Sequence, residues 1–155
     1  NDVDIGGGRL IGEGCHFFDL IRFIVGQEII NVDLIRMDDY DLAGSGKDKF
    51  SASLKFHDGS IGTIHYFSNG SSKLPKERIE VYSSGRVIQI DNFRKMHSYG
   101  FRNFKKLNLW KQDKGQLNSV KEFCNSIENG TESPIPFSEI IEVSEKIFEA
   151  NDFLK

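Results

Sequence analysis

Residues 6–19 carry the strongest local pattern in this chain, and they read Gly6-Gly7-Gly8-Arg9-Leu10-Ile11-Gly12-Glu13-Gly14-Cys15-His16-Phe17-Phe18-Asp19. Three successive glycines favour neither a helix nor a strand, because glycine loses more backbone entropy on folding than any other residue. A helical pattern follows directly, with apolar residues at Phe17, Leu20, Ile21 and Ile24 and a glycine, Gly26, where a C-terminal cap belongs. The stretch therefore predicts a glycine turn that places His16 in the first turns of a buried helix.

The overall composition is ordinary for a soluble globular protein. The chain has 155 residues, of which 38% are hydrophobic and 28% are charged. A net charge of −3 does not favour nucleic acid or a membrane surface as a partner. We find no apolar run of membrane-spanning length and no signal peptide. The two cysteines, Cys15 and Cys124, are too few for a disulfide framework and fit a reducing, cytoplasmic compartment.

The middle of the chain reads as a series of short strands. Phe50, Ala52, Leu54 and Phe56 alternate with polar residues, which is the period of a half-buried strand. The turn signals His57-Asp58-Gly59-Ser60 and Ser84-Gly85 predict two hairpins, and residues 38–47 and 69–75 predict loops. We predict strands over Glu28–Met37, Phe50–Phe56, Ile61–Phe67, Arg78–Ser83, Arg86–Asp91 and Lys105–Trp110.

The C-terminal part is predicted to be helical. One apolar stripe, Leu117, Val120, Cys124 and Ile127, ends at Gly130, and a second helix begins near the candidate N-cap Ser138, with Glu139 and Glu142 in its first turn. The element order predicts an α+β fold over residues 1–155, a single domain with a mainly antiparallel open sheet of about five or six strands and helices packed on one face. Apolar residues on the free face, including Phe67, Ile88 and Leu107, predict a homo-oligomer contact there.

Several motifs in this order resemble one family. They are Gly6-Gly7-Gly8 with His16 and Asp19, the strand Lys76-Glu77-Arg78-Ile79-Glu80-Val81, Asp91-Asn92-Phe93-Arg94, Asp113-Lys114-Gly115-Gln116, and Phe123, Ile127, Gly130 and Pro134-Ile135-Pro136-Phe137. Together they resemble the C-terminal domain of the glucose–fructose oxidoreductase/inositol dehydrogenase/MocA (Gfo/Idh/MocA) family. The chain most resembles the branch in which this domain ends a long oxidoreductase associated with surface-polysaccharide genes.

The resemblance implies half of a two-domain enzyme that acts on a sugar or a nucleotide sugar. An N-terminal Rossmann domain would bind NAD or NADP and carry the family's catalytic lysine, and the present domain would hold the sugar-like substrate and make subunit contacts. No G-x-G-x-x-G motif follows a strand here, because Gly6–Gly8 comes after only five residues. We therefore expect a fragment that lacks the Rossmann half, binds no dinucleotide and turns nothing over by itself.

His16 matches the family's histidine, which acts in proton transfer with the substrate hydroxyl. Imidazole titrates near neutrality and suits that task, although a histidine at the edge of a core helix is often structural. The family's usual aspartate, four residues before the histidine, is Gly12 here. Glu13 has same-face spacing to His16, so we predict that it supplies the missing carboxylate; the alternative is an ordinary acid in the first helical turn.

Four further residues are candidate ligands, each with a plain structural alternative. Asp19 could contact substrate hydroxyls or pair with Arg22, and Arg9 could reach cofactor phosphate or substrate or be solvated. Tyr66 is a candidate substrate ligand, and His65 points to the opposite face, so at most one of the two serves. Lys76 could bind an anionic sugar or phosphate, although single surface lysines are usually solvated.

A nucleic-acid surface and a metal site are less well supported by the sequence. Residues 93–114 interleave basic and aromatic side chains, as nucleic-acid surfaces do, but the acidic balance of the chain argues against such a partner. Cys15 beside His16 lacks a second Cys/His cluster, so no metal site is expected. The alternative to an enzyme is a dimerising or sugar-binding scaffold with a degenerate site, which Gly12 favours.

Overall fold

The computed structural model describes residues 8–37 and 48–152. Gly6, Gly7 and the predicted loop over residues 38–47 lie outside the described residues. The chain forms two compact units, the first made of residues 1–69 and 135–155 and the second of residues 70–134. In chain order the elements are a π-helical turn (Leu10–Gly14), α1 (Cys15–Val25), β1 (Ile29–Arg36), β2 (Phe50–Phe56), β3 (Ile61–Tyr66), β4 (Arg78–Ser83), β5 (Arg86–Asp91), β6 (Lys95–Tyr99), β7 (Lys106–Asn108), α2 (Gln116–Asn129) and α3 (Phe137–Asp152).

The first unit is a three-stranded antiparallel sheet with two helices against one face. The strand order is β1-β2-β3, and β2 pairs with β3 so that Phe50 faces Tyr66. The buried face of β2 carries Phe50, Ala52, Leu54 and Phe56, as its alternation predicted. Phe18 of α1 and two residues of α3, Val143 and Ile147, complete the core.

Glycine sets how closely α1 approaches the sheet. A Cβ atom at Gly62 of β3 would lie 2.4 Å from Cγ2 of Ile21, so the helix packs where the strand has no side chain. The buried side of this helical stretch runs through Leu10 and Phe18. Phe17 and Ile21 of the predicted stripe are half-buried against the core, whereas Ile24 is exposed, so the stripe is confirmed only in part.

The helix ends follow the predicted chemistry at two of three positions. Gly26 and Gly130 cap α1 and α2 in the left-handed conformation, with φ of 69° and 62°. Ser138 was wrong as an N-cap, because α3 already begins at Phe137 and the carbonyl of Pro136 accepts the hydrogen bond from the Glu139 amide. A proline at this position has no N–H to leave unpaired.

The second unit is a four-stranded antiparallel sheet, β4-β5-β6-β7, followed by α2. The predicted bounds of β4 and β5 are confirmed, β7 is shorter than predicted, and β6 was not predicted. The apolar side chains of the second unit are half-buried or exposed. On α2, the predicted apolar stripe is exposed at Leu117, Val120 and Ile127. Both units combine helices with antiparallel strands, so the predicted α+β class is confirmed.

Candidate functional site

The segment that carries the candidate catalytic residues begins with a π-helical turn. The turn covers Leu10–Gly14 and passes directly into α1 at Cys15. π-Helical turns are rare in proteins, and those that do occur often lie at functional sites. Glu13 within the turn and His16 just after it are both exposed, and Asp19 is half-buried one turn later.

Arg9 and Tyr66, predicted separately as ligands, are in direct contact. Nη1 of Arg9 donates a hydrogen bond to the Tyr66 hydroxyl at 3.0 Å, and Nε of Arg9 lies 3.4 Å from Oδ2 of Asp48. The hydrogen bond to Tyr66 raises the pKa of the Arg9 guanidinium, and the carboxylates of Asp48 and Glu13 act in the same direction. The site therefore groups one cation with two carboxylates and a phenol.

The Tyr66 ring is fixed by two aromatic neighbours. It stacks on Phe50 with a centroid distance of 5.2 Å and an interplanar angle of 4°, and it meets Phe17 edge-on at 6.1 Å. His65 lies on the other face of the sheet, where its Nδ1 is 2.9 Å from the Ser51 hydroxyl. This arrangement confirms that Tyr66 and His65 point to opposite faces, and it puts Tyr66 on the side of α1.

Glu13 and His16 are neighbours along the helix but do not touch. No hydrogen bond or ion pair joins them within the described residues, so the predicted relay has no contact in the present conformation. Arg22, the alternative partner of Asp19, instead pairs with α3: its Nε donates to Oε1 and Oε2 of Glu142 at 3.0 and 3.1 Å. The alternative pairing of Asp19 with Arg22 is therefore not seen among the described residues, and the predicted substrate contact of Asp19 stays a prediction.

The remaining candidates lie elsewhere. Lys76 belongs to the second unit and is exposed just before β4. Burial raises the pKa of the Cys15 thiol, so this cysteine is held in its neutral form. Among residues 8–37 and 48–152, no group of three His, Cys, Asp or Glu side chains could hold a metal ion. In the same part of the chain, no helix is both long and apolar enough to cross a membrane.

Comparison with known proteins identifies the family. Residues 2–130 match the model of the Gfo/Idh/MocA family described as "oxidoreductase family, C-terminal alpha/beta domain". The chain belongs to this family. A search of curated proteins gave no match.

Solved structures share the fold at low sequence identity. The chain is similar to UDP-N-acetylglucosamine 3-dehydrogenase GnnA from Acidithiobacillus ferrooxidans (TM-score 0.74, 16% identity, 100% of this chain, 50% of that chain). It is also similar to aldose–aldose oxidoreductase from Caulobacter crescentus, complexed with glycerol (0.73, 18%, 99%, 48%). A third similar structure is an oxidoreductase from Agrobacterium radiobacter in complex with NAD+, L-tartaric acid and magnesium (0.71, 13%, 94%, 47%). The chain thus spans about half the length of these structures.

Asp48, which completes the Arg9 cluster, was not predicted from the local sequence pattern. It stands 39 positions after Arg9 and just before β2, and no spacing rule connects such distant residues. The hairpin turn after Phe56 could have placed Phe50 opposite Tyr66, because hairpin register follows from the turn. Asp48 would then have been expected near the end of β3.

Proposed function

We propose that this chain is the substrate-binding half of an NAD(P)-dependent oxidoreductase that acts on a sugar or a nucleotide sugar. The observation that carries the proposal is the membership in this oxidoreductase family, with His16 exposed beside a π-helical turn. The substrates of two similar proteins, a UDP-amino sugar and an aldose, support a sugar-like substrate. The branch resemblance suggests a role in polysaccharide biosynthesis, and the free thiols of Cys15 and Cys124 fit a cytoplasmic location.

The contacts of Arg9 argue against a dinucleotide phosphate at this residue. Arg9, the predicted cofactor ligand, already contacts Asp48 and Tyr66, and the carboxylates of Asp48 and Glu13 oppose a second anion there. The nicotinamide, bound by a Rossmann domain, would supply the hydride acceptor. This chain would supply the substrate pocket and the base.

His16 would take the hydroxyl proton of the substrate carbinol. As the carbinol carbon loses a hydride, its oxygen loses a proton, and a neutral imidazole within reach can accept that proton. Glu13 would hold the resulting imidazolium or pass the proton on, after a rotamer change that brings it to His16. Asp19 and Tyr66 would contact substrate oxygens. For Lys76, which belongs to the second unit, an anionic group of a sugar remains the proposed ligand.

The test uses the protein that joins this chain to a dinucleotide-binding domain. Reduction of NAD+ and NADP+ is measured with UDP-N-acetylglucosamine, glucose and glycerol. His16→Gln should lower kcat/KM about 10²- to 10⁴-fold, as expected for loss of a general base. His57→Gln, which changes an exposed histidine in the β2–β3 turn, is the matched control and should retain activity. Full activity of His16→Gln would refute the assignment of the base.

A scaffold is the second candidate function, favoured by Gly12 at the carboxylate position and by the absence of a Glu13–His16 contact within the described residues. The protein would then dimerise through a sheet face or bind sugar without turnover. Glu13→Gln separates the two functions, because it should lower turnover in an enzyme with a carboxylate relay. Sedimentation of the chain tests the oligomer: exposed apolar residues such as Ile61 and Phe67 support an interface, and a monomer at high concentration would argue against it.

A further inference from the structure

Three polar residues from distant parts of the first unit form one connected cluster. Arg9 precedes the π-helical turn, Asp48 precedes β2, and Tyr66 ends β3. The side chains of Arg9 and Asp48 are only 32% and 19% exposed, and the guanidinium spans the distance between the carboxylate and the phenol. Charge-assisted hydrogen bonds of this kind hold side chains in a defined orientation.

The direction of the Arg9–Tyr66 hydrogen bond determines what the phenol can still do. A guanidinium only donates, so the Tyr66 oxygen is the acceptor and its own proton remains available. Within residues 8–37 and 48–152, the structure gives that proton no acceptor. The ring cannot turn away easily, because Phe50 stacks on it and Phe17 meets its edge. Tyr66 is therefore an oriented hydrogen-bond donor.

The location of this donor connects it to the candidate base. Phe17, which contacts the Tyr66 ring, directly follows His16 along α1. Glu13, which lies within electrostatic reach of Arg9, is on the turn between Arg9 and His16. The phenol therefore lies against the helix residue that directly follows the candidate base.

The local charge indicates the chemical class of the group that Tyr66 would bind. Arg9 contributes one positive charge, whereas Asp48 and Glu13 contribute two negative charges. Because the Arg9 guanidinium is already paired with a carboxylate, an uncharged hydroxyl or carbonyl oxygen is the partner that suits the remaining proton of the phenol.

We propose that Arg9 and Asp48 are positioning residues, which hold the Tyr66 hydroxyl as a hydrogen-bond donor to an uncharged oxygen of the substrate. The proposal rests on the proposed oxidoreductase function and replaces the predicted contact of Arg9 with cofactor phosphate. It makes Asp48 part of the site. It also makes Arg9 and Tyr66, which were predicted as independent ligands, act together.

A double-mutant cycle in the enzyme described above tests this. Tyr66→Phe keeps both ring contacts, removes the donor and should raise KM about 10-fold with kcat within about 2-fold, as expected for an interaction present in both ground and transition states. Arg9→Gln and Asp48→Asn should each raise KM about 3-fold alone and should add nothing in the Tyr66→Phe background. Additive effects on KM would overturn the proposal, because each residue would then act independently of the hydroxyl.

Two further measurements separate this inference from the proposed function. In the ligand-free 155-residue chain, Arg9→Gln should shift the ¹³Cζ resonance of Tyr66 and leave that of Tyr82 in place; an unmoved Tyr66 signal would refute the cluster. Inorganic phosphate should not compete with the sugar substrate in the assay, and competition abolished by Arg9→Gln would show an anion site instead.

Wild-type protein without any activity would refute the proposed function, and this inference with it. Active wild-type enzyme with unchanged KM in Tyr66→Phe would refute this inference alone.

Discussion

The two units of the chain bury different kinds of side chain. Every buried apolar residue of the described chain lies in the first unit, whereas the buried side chains of the second unit are Ser98 and Ser126. The second unit leaves large apolar side chains exposed, most of all Trp110 at 91%. The candidate site occupies the unit with the packed core, which suits catalysis because a rigid element holds reacting groups in place.

Removing an aromatic ring from the core should destabilise the first unit far more than truncating an apolar side chain destabilises the second. Phe18 is fully buried, so Phe18→Ala should reduce the free energy of unfolding by about 3–5 kcal/mol through lost burial and a cavity. Ile88→Ala in β5, where the side chain is half-buried, should cost about 1 kcal/mol. Urea denaturation of both variants measures the difference. Equal losses would show that the second unit is packed as tightly as the first.

A polar clamp also stabilises the first unit. The carboxylate of Glu142 accepts two hydrogen bonds from Arg22 and one from the Ile29 amide at 2.7 Å, so it ties α3 to α1 and to the start of β1. Glu142→Gln should cost about 2 kcal/mol, because the nearly buried guanidinium of Arg22 would keep only Glu139, 3.6 Å away, as a carboxylate partner.

Glu145→Gln on the exposed side of the same helix is the matched control for this clamp. It should change the free energy of unfolding by less than about 0.5 kcal/mol, as most surface substitutions do. Thermal unfolding followed by circular dichroism provides the measurement for both variants. If Glu142→Gln behaved like its control, apolar packing alone would hold the first unit together.

The accuracy of the sequence predictions differed between elements for physical reasons. The bounds of β2, β4 and β5 were predicted because apolar alternation and tight turns are local signals. Strand β6 was missed because Lys95–Tyr99 alternates Met96 and the buried Ser98 with polar residues, so its inner face has no continuous apolar period. His16 was placed on a helix from local spacing. The Arg9–Tyr66–Asp48 cluster was not predicted, because it depends on how β2, β3 and the helix meet.

The turn between β5 and β6 stores backbone strain, and its relief should give the smallest effect on stability, of opposite sign. Phe93 between β5 and β6 has a φ of 48°, which a bulky residue rarely adopts. Neighbouring contacts hold it there: the Asp113 amide donates to the Phe93 carbonyl, and the Lys114 ammonium lies 5.7 Å from the ring centroid. Phe93→Asn keeps the backbone contacts, loses the ring and relaxes the strain.

Asparagine tolerates the left-handed region, as the adjacent Asn92 shows with a φ of 51°. Phe93→Asn should therefore raise the free energy of unfolding by about 0.5–1 kcal/mol, since the relieved strain exceeds the contact of the half-buried Phe93 ring with the Lys114 ammonium. Phe101→Asn, which also removes a ring beneath a cation but at a residue without positive φ, is the control and should not stabilise. A destabilised Phe93→Asn would mean that the ring contributes more than its backbone costs, and the second unit would then depend on aromatic contacts more than its low burial indicates.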